Sequence, residues 1–253
     1  ELLERAGVRL PRRFEEDVEQ GFALLEDVGE RTLAEREDLG AGGIEGWVER
    51  AYEIGVRIAG LPAREVAALG SPPLDRGLLE QELARTIEVV LAPRGLAPPP
   101  FESALSELCG RLASDPPVPC HRDFMARNLV PLESGELAVL DFQDLRMGPP
   151  AYDTASLLND TFFAPVGLER RLLARLAERG VGAEAYRRAV AQRTLKAAGT
   201  FVSFAQRGDE RHLGLVPRCL ERAVRSLLEL PETQAAVAPL AERLRAIGAR
   251  GLC

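Results

Sequence analysis

The residues equipped for chemistry lie close together in the middle of the chain. His121-Arg122-Asp123-Phe124-Met125-Ala126-Arg127-Asn128 fills every fixed position of H-R-D-x-x-x-x-N, and Asp141-Phe142-Gln143-Asp144 follows thirteen residues after Asn128. An aspartate held on a loop can take the proton of an attacking hydroxyl. An amide oxygen and a second carboxylate can together hold a divalent cation against phosphate oxygens. The spacing therefore points to phosphoryl transfer from ATP, with Asp123 as the base and Asn128 and Asp141 as ligands of Mg²⁺. Isolated acidic loops are commonly solvated surface, but four fixed positions plus a strand-borne Asp-Phe at this distance are hard to reach by chance.

Such a constellation needs elements that bring its two loops together. Asn128–Leu132 and Glu136–Leu140 read as paired strands around the turn Glu133-Ser134-Gly135, so one hairpin (118–145, counting its approach from Val118-Pro119-Cys120) would make Asp123, Asn128 and Asp141 converge. Upstream, 13–27 reads as another hairpin, with strands at Arg13–Val18 and Phe22–Glu26 turning at Glu19-Gln20-Gly21. Elsewhere apolar residues recur at helical spacing. The stripes run through Ile44, Trp47, Val48, Ala51, Ile54, Ile58 and Leu61; Leu79, Leu83, Ile87 and Leu91; Phe101 to Leu112; Leu168, Leu172 and Leu176; Tyr186, Val190, Ala197 and Phe201; Leu220, Ala223 and Leu227; and Val237, Leu240, Leu244 and Ile247. Pro93–Pro100 reads as a loop.

Composition narrows the field. The 253 residues carry 32 Lys plus Arg against 39 Asp plus Glu, a net charge of −7, so no basic excess serves nucleic acid or an anionic membrane. No apolar run approaches the roughly 18 residues of a membrane span, and Glu1–Arg5 lacks a signal-peptide layout. Cys109, Cys120, Cys219 and Cys253 are widely spaced and read as free thiols of a reducing cytoplasm. The chain does not begin with Met, and the expectation is that its beginning is missing. Lysine occurs once, at Lys196.

With these motifs in view, the chain resembles the aminoglycoside phosphotransferase/choline kinase branch of the kinase-like fold. Gln143-Asp144 stands in place of the Gly of D-F-G, and Gly148-Pro149-Pro150-Ala151-Tyr152-Asp153-Thr154-Ala155-Ser156-Leu157-Leu158 matches that branch's G-P-x-x-Y-D-x-x-S-L-L. Within it, the strings around Asp123 and Asp141, and Gln192-Arg193-Thr194-Leu195-Lys196-Ala197-Ala198-Gly199-Thr200-Phe201, are similar to those of bacterial kinases acting on the anomeric hydroxyl of N-acetylmuramate and N-acetylglucosamine.

The resemblance implies an α+β, protein-kinase-like fold with a truncated N-lobe and a mostly helical C-lobe. Residues 1–29 would be the remnant of the N-lobe sheet and hinge, and 30–253 the C-lobe. It implies ATP and Mg²⁺, a small-molecule hydroxyl substrate and a cytoplasmic enzyme of cell-wall recycling. His121 and Asp153 would hold the catalytic loop, Asp144 would support it, and Arg127 would neutralise phosphate charge or pair with Asp144. The hinge Glu26-Asp27-Val28 would hold adenine, and Asp75 and Glu82 would line the acceptor pocket. A glycine-rich loop, a strand-borne lysine and its glutamate partner are not found in these residues, and Lys196, far downstream, is not expected to replace that lysine. Two alternatives stay open: an aminoglycoside or amino-alcohol kinase, and a non-catalytic binding module. His212 reads as a surface or capped histidine, and Trp47 as core.

Overall fold

Helices take up most of the chain, and their apolar stripes decide how they stack. The computed structural model describes residues 1–248, so Cys253 lies outside it. A short helix α1 (Leu2–Arg5) precedes the hairpin β1 (Arg13–Asp17) and β2 (Phe22–Leu25). Helices α2 (Gly40–Ala59), α3 (Ala63–Ala67), α4 (Arg76–Thr86) and α5 (Pro99–Ala113) follow. Next come the short strands β3 (Val118–Cys120), β4 (Leu129–Pro131), β5 (Leu137–Val139) and β6 (Arg146–Gly148). The chain continues through α6 (Tyr152–Leu158), α7 (Val166–Glu178), α8 (Ala183–Ala205), α9 (Val216–Leu228), α10 (Pro231–Val237) and α11 (Ala241–Arg245). No helix of the described residues is long and apolar enough to cross a membrane.

The long helix α8 is the axis of the helical body, packed by α4, α5, α6 and α9. It is buried on almost every side, and Gln192, Arg193 and Thr194 are buried with its apolar residues. A helix buried all round is normally apolar all round, so polar residues in its middle mark a place where the fold carries something other than packing. Helices α4 and α8 meet at Gly199. A Cβ there would stand 2.8 Å from Thr86 Cα and 2.9 Å from its N, closer than real Cβ atoms approach backbone. The Thr86 hydroxyl donates to Leu195 O across the same contact, at 2.6 Å. Directly after Thr86 the helix widens into a π turn, Ile87–Leu91, which keeps Val90 and Leu91 buried.

The β-rich stretch forms two small antiparallel pairs. β4 and β5 make the expected hairpin, Leu129 facing Val139 and Pro131 facing Leu137, with Gly135 at φ +85° in the turn. β3 pairs with β6, Cys120 facing Arg146. This second pair has no counterpart in the sequence pattern, because three residues, Arg-Met-Gly, show no alternation to read. The N-terminal segment docks on the β4–β5 hairpin where Val139 N–H donates to Arg9 O at 2.8 Å.

Other departures have local causes. α5 starts at Pro99, inside the expected loop, because prolines suit the first helical turn, where no N–H is needed. The last apolar stripe is split into α10, a 3₁₀ turn at Ala238–Leu240 and α11, with Pro239 at the break. Trp47 packs against the core as expected, though only half-buried, and the Arg50 guanidinium lies over its ring at 4.7 Å. Cys109, Cys120 and Cys219 are buried free thiols, and burial pushes the Cys109 thiol up to about 12.

Candidate active site

The loop that carries His121-Arg122-Asp123 is held in a conformation its sequence would not choose unaided. Arg122 has φ +76°, in the left-handed region that bulky residues avoid. Several contacts over-determine it, as such strain requires. The Asp153 carboxylate accepts the backbone N–H of His121 at 2.7 Å and of Arg122 at 3.0 Å. The Arg122 guanidinium donates to Glu82 at 2.9 Å and pairs with Asp144, which also takes Arg146 at 3.2 Å. Asp153 lies in the first turn of α6, yet its carboxylate serves the loop rather than the helix. Burial raises its pKa in spite of the two N–H groups.

His121 ties this loop to the strand before Asp141. Its Nε2 lies 3.0 Å from Leu140 O and must donate there, since a carbonyl only accepts. The ring packs against Phe124, centroids 5.6 Å apart. Leu140 N–H in turn donates to Asn128 O at 2.8 Å, so the ends of both loops are bonded to each other.

Asp123 lies at the centre, its side chain 22% exposed. Its Oδ1 meets Arg193 Nη1 at 2.9 Å and Lys196 Nζ at 3.3 Å. Burial alone would raise its pKa, but these two charges outweigh it and hold the carboxyl well below the usual carboxylate range. Arg193 is itself 2% exposed and pairs on its other side with buried Asp160 at 3.1 Å.

Glu82 joins α4 to this network. Its Oε1 takes Arg122 and, at 3.0 Å, Lys196 Nζ; its Oε2 accepts from Tyr152 Oη at 3.2 Å and Gln192 Nε2 at 3.1 Å. Burial opposes ionisation here too, and the charges of Lys196 and Arg122 win, lowering its pKa. Glu82 is thus fully partnered, whereas Asp75 is an exposed helix cap accepting Leu78 N–H at 2.9 Å.

Asn128 donates Nδ2 to Asp123 O at 2.8 Å, which leaves its Oδ1 as a free acceptor. Asp141 is exposed, has φ +56°, and accepts from the Gln143 amide. An amide oxygen and a carboxylate are hard donors of the kind Mg²⁺ takes, and this ion keeps waters and phosphate oxygens for its remaining positions. Among the described residues no group of three or more His, Cys, Asp or Glu forms a metal cage.

Arg127 does not reach Asp144, which Arg122 and Arg146 already occupy. Its guanidinium lies 5.7 Å from the centroid of the Phe201 ring and has no carboxylate partner among the described residues. His212 is half-buried and stacks on Phe201 at 5.1 Å.

Glu26, Asp27 and Val28, the expected hinge, line a separate cleft of about 510 Å³ together with β4 and its turn. Glu26 is fixed by Arg9 at 2.6 Å and by Arg12 N–H at 2.9 Å, and these contacts lower its pKa. Asp27 accepts Gly29 N–H at 2.9 Å. The backbone N–H groups of Asp27 and Val28 have no partner among the described residues.

The sequence reading missed Arg193, Lys196, Gln192 and the Arg122 side chain. The signal available was a set of polar residues at 192, 193 and 196 on one face of a run otherwise made of Ala, Val, Leu and Thr194.

Fold and site together define a kinase-like phosphotransferase. Residues 1–189 match the phosphotransferase enzyme family, and the chain belongs to it. Its curated relatives include the N-acetylmuramate/N-acetylglucosamine kinase of Pseudomonas aeruginosa, 34% identical over 91% of this chain and 73% of the relative. The enzyme of the same name from Pseudomonas putida is 32% identical over 86% of this chain and 68% of the relative. Among solved structures, choline kinase LicA from Streptococcus pneumoniae shares the fold with a TM-score of 0.65 at 18% identity, over 90% of this chain and 78% of that one. The aminoglycoside phosphotransferase APH(2'')-IIa, in its ternary complex with streptomycin and ATP, does so with a TM-score of 0.57 at 18% identity, over 93% and 78%.

Proposed function

We propose that the chain transfers the γ-phosphoryl group of ATP to a hydroxyl of a cell-wall amino sugar, N-acetylmuramate or N-acetylglucosamine. The observation that carries the acceptor is the 34% identity to a kinase named for those two sugars, over nearly the whole chain. The site agrees in its charge. Beside Asp123, the carboxylate Glu82 is consumed by Arg122, Lys196, Tyr152 and Gln192. Without a free carboxylate there, the cationic acceptors of an aminoglycoside or amino-alcohol kinase have little to bind.

In this reading Asp123 orients the acceptor hydroxyl and takes its proton, while His121, Asp144 and Asp153 keep the loop in place. Asn128 Oδ1 and the Asp141 carboxylate would hold Mg²⁺, which when bound neutralises charge on the transferring phosphates. Arg127, free of any carboxylate, adds positive charge on the same loop. The backbone of Glu26-Asp27-Val28 would take adenine in the hinge cleft, residues 1–29 contributing the N-lobe part of the site and 30–253 the C-lobe. Joint retention of Asp123, Asn128 and Asp141 favours catalysis over a binding module, which has no use for all three.

The test is phosphate transfer from labelled ATP to N-acetylmuramate, N-acetylglucosamine, an aminoglycoside and choline, using the full-length gene product. Turnover confined to the two sugars is expected. Preference for a cationic acceptor would overturn the acceptor assignment, and no turnover with ATP bound would return the binding module.

A further inference from the structure

We propose that Lys196 is a positioning residue for the transfer: with Arg193 it clamps Asp123 by Oδ1, so that Oδ2 alone faces the acceptor hydroxyl. The proposal rests on the phosphotransferase reading of the site. Both cations meet the same oxygen, Arg193 at 2.9 Å and Lys196 at 3.3 Å. Oδ2 has no partner among the described residues, and the side chain is open to solvent on one side.

The terminal torsion of an aspartate is broad and nearly two-fold. One contact would let the carboxylate swing; two cations arriving from successive turns of a buried helix fix its plane. Residues 193 and 196 are three apart on α8, so they share a face. Each cation has a second anchor, Arg193 on Asp160 at 3.1 Å and Lys196 on Glu82 at 3.0 Å. The clamp thus stands on α4, α8 and the buried bend after α6, not on the loop it holds, and firmly packed supports place reacting groups better than loops do.

Lys196 is the informative residue to change. Removing Arg193 strands buried Asp160, whereas without Lys196 the Glu82 carboxylate keeps Arg122, Tyr152 and Gln192. The experiment compares full-length wild type, Lys196→Met and Lys196→Arg by steady-state kinetics, using whichever acceptor the wild type phosphorylates. In Lys196→Met, kcat should fall ~100-fold, the scale of a misplacement of about 1 Å, while KM for ATP and acceptor stay within about threefold. Lys196→Arg should recover part of kcat.

A second arm needs no acceptor. In protein labelled with ¹⁵Nζ-lysine, the Lys196 ammonium resonance, identified by its loss in Lys196→Arg, should shift in Asp123→Asn. An unchanged kcat in Lys196→Met, or a loss confined to acceptor KM, would overturn the clamp. If the wild type turns over nothing, the phosphotransferase reading fails on its own. The resonance then decides the contact: a shift supports it, and no shift removes it.

Discussion

The two halves of the candidate site are built in opposite ways. Around Asp123, α4, α6 and α8 each contribute a buried group: Glu82 and Arg193 each have partners from two separate parts of the chain, and Asp153 holds two successive N–H groups of the loop. Around the hinge, support comes from the Arg9–Val139 bridge and from Glu26 on Arg9 and Arg12. The adjoining hairpin β1–β2 leaves Phe14, Val18, Phe22, Leu24 and Leu25 between 48% and 80% exposed. The Asp123 carboxylate, to which we assign the acceptor hydroxyl, is therefore preorganised by the helical body. The surface assigned to the nucleotide is a loose strap laid over that body, where backbone rather than side chains would do the binding. Substitutions in the two halves should differ accordingly: large and specific at the floor, small at the strap.

The sharpest contrast is expected at Asp123. Asp123→Asn keeps the shape but cannot take a proton, and kcat should fall by about 10³-fold or more, at the upper end of what general-base groups contribute. Thermal unfolding should show the fold intact. Turnover close to wild type would remove Asp123 from its assigned role and erase the distinction between floor and strap.

Arg193→Met comes next, and there the loss should fall on the fold. Breaking a buried ion pair by removing one partner costs about 3–5 kcal/mol, since the remaining charge is left uncompensated; here both Asp160 and Asp123 lose a partner. The pH dependence follows from the lowered Asp123 carboxyl. A depressed folded pKa contributes stability above the unfolded value of about 3.9, and that contribution is lost as pH falls through the folded value. The wild-type advantage measured by urea unfolding should therefore be greatest near neutral pH and shrink in acid. A gap independent of pH would mean that Arg193 acts through packing alone.

These two positions also show what could be read without a structure. Asp123, Asn128 and Asp141 were legible because their signal is local: a short loop motif, a hairpin, and a second motif at fixed distance. The helices were legible because each stripe repeats. Arg193 and Lys196 were not, because their shared partner Asp123 lies about seventy residues upstream, and only the packing of α8 brings them together. In isolation, charged residues three apart on a helix look like a solvated face. Arg122 was obscured for another reason. Its place in the H-R-D motif was plain, but its positive φ turns the side chain to Glu82 and Asp144, the pairing that had been open to Arg127. β6 was too short to have a pattern.

Gly199→Ala probes how the floor is carried. The added methyl would press on the Thr86 backbone, which cannot yield as a side chain end can. Overpacking of this kind costs about 1–3 kcal/mol, and it would push α4 away from α8. Since Glu82 rides on α4 and Lys196 on α8, kcat should fall along with the melting temperature. A variant that loses stability but keeps full kcat would show that the network tolerates a shift of its supports.

The smallest effect belongs to the strap. Leu24 is 54% exposed on β2 and Phe22 52%, so polar replacements there give up little buried area. Threonine also suits a strand. Leu24→Thr should change unfolding free energy by no more than about 0.5 kcal/mol, as surface substitutions generally do, and leave the acceptor KM unmoved. Because Leu25 leads directly into Glu26, any functional consequence should appear as a change in KM for ATP. If Leu24→Thr instead destabilised the protein as strongly as Gly199→Ala, the hairpin would have to be covered in solution, and the contrast between a packed floor and an open strap would not hold.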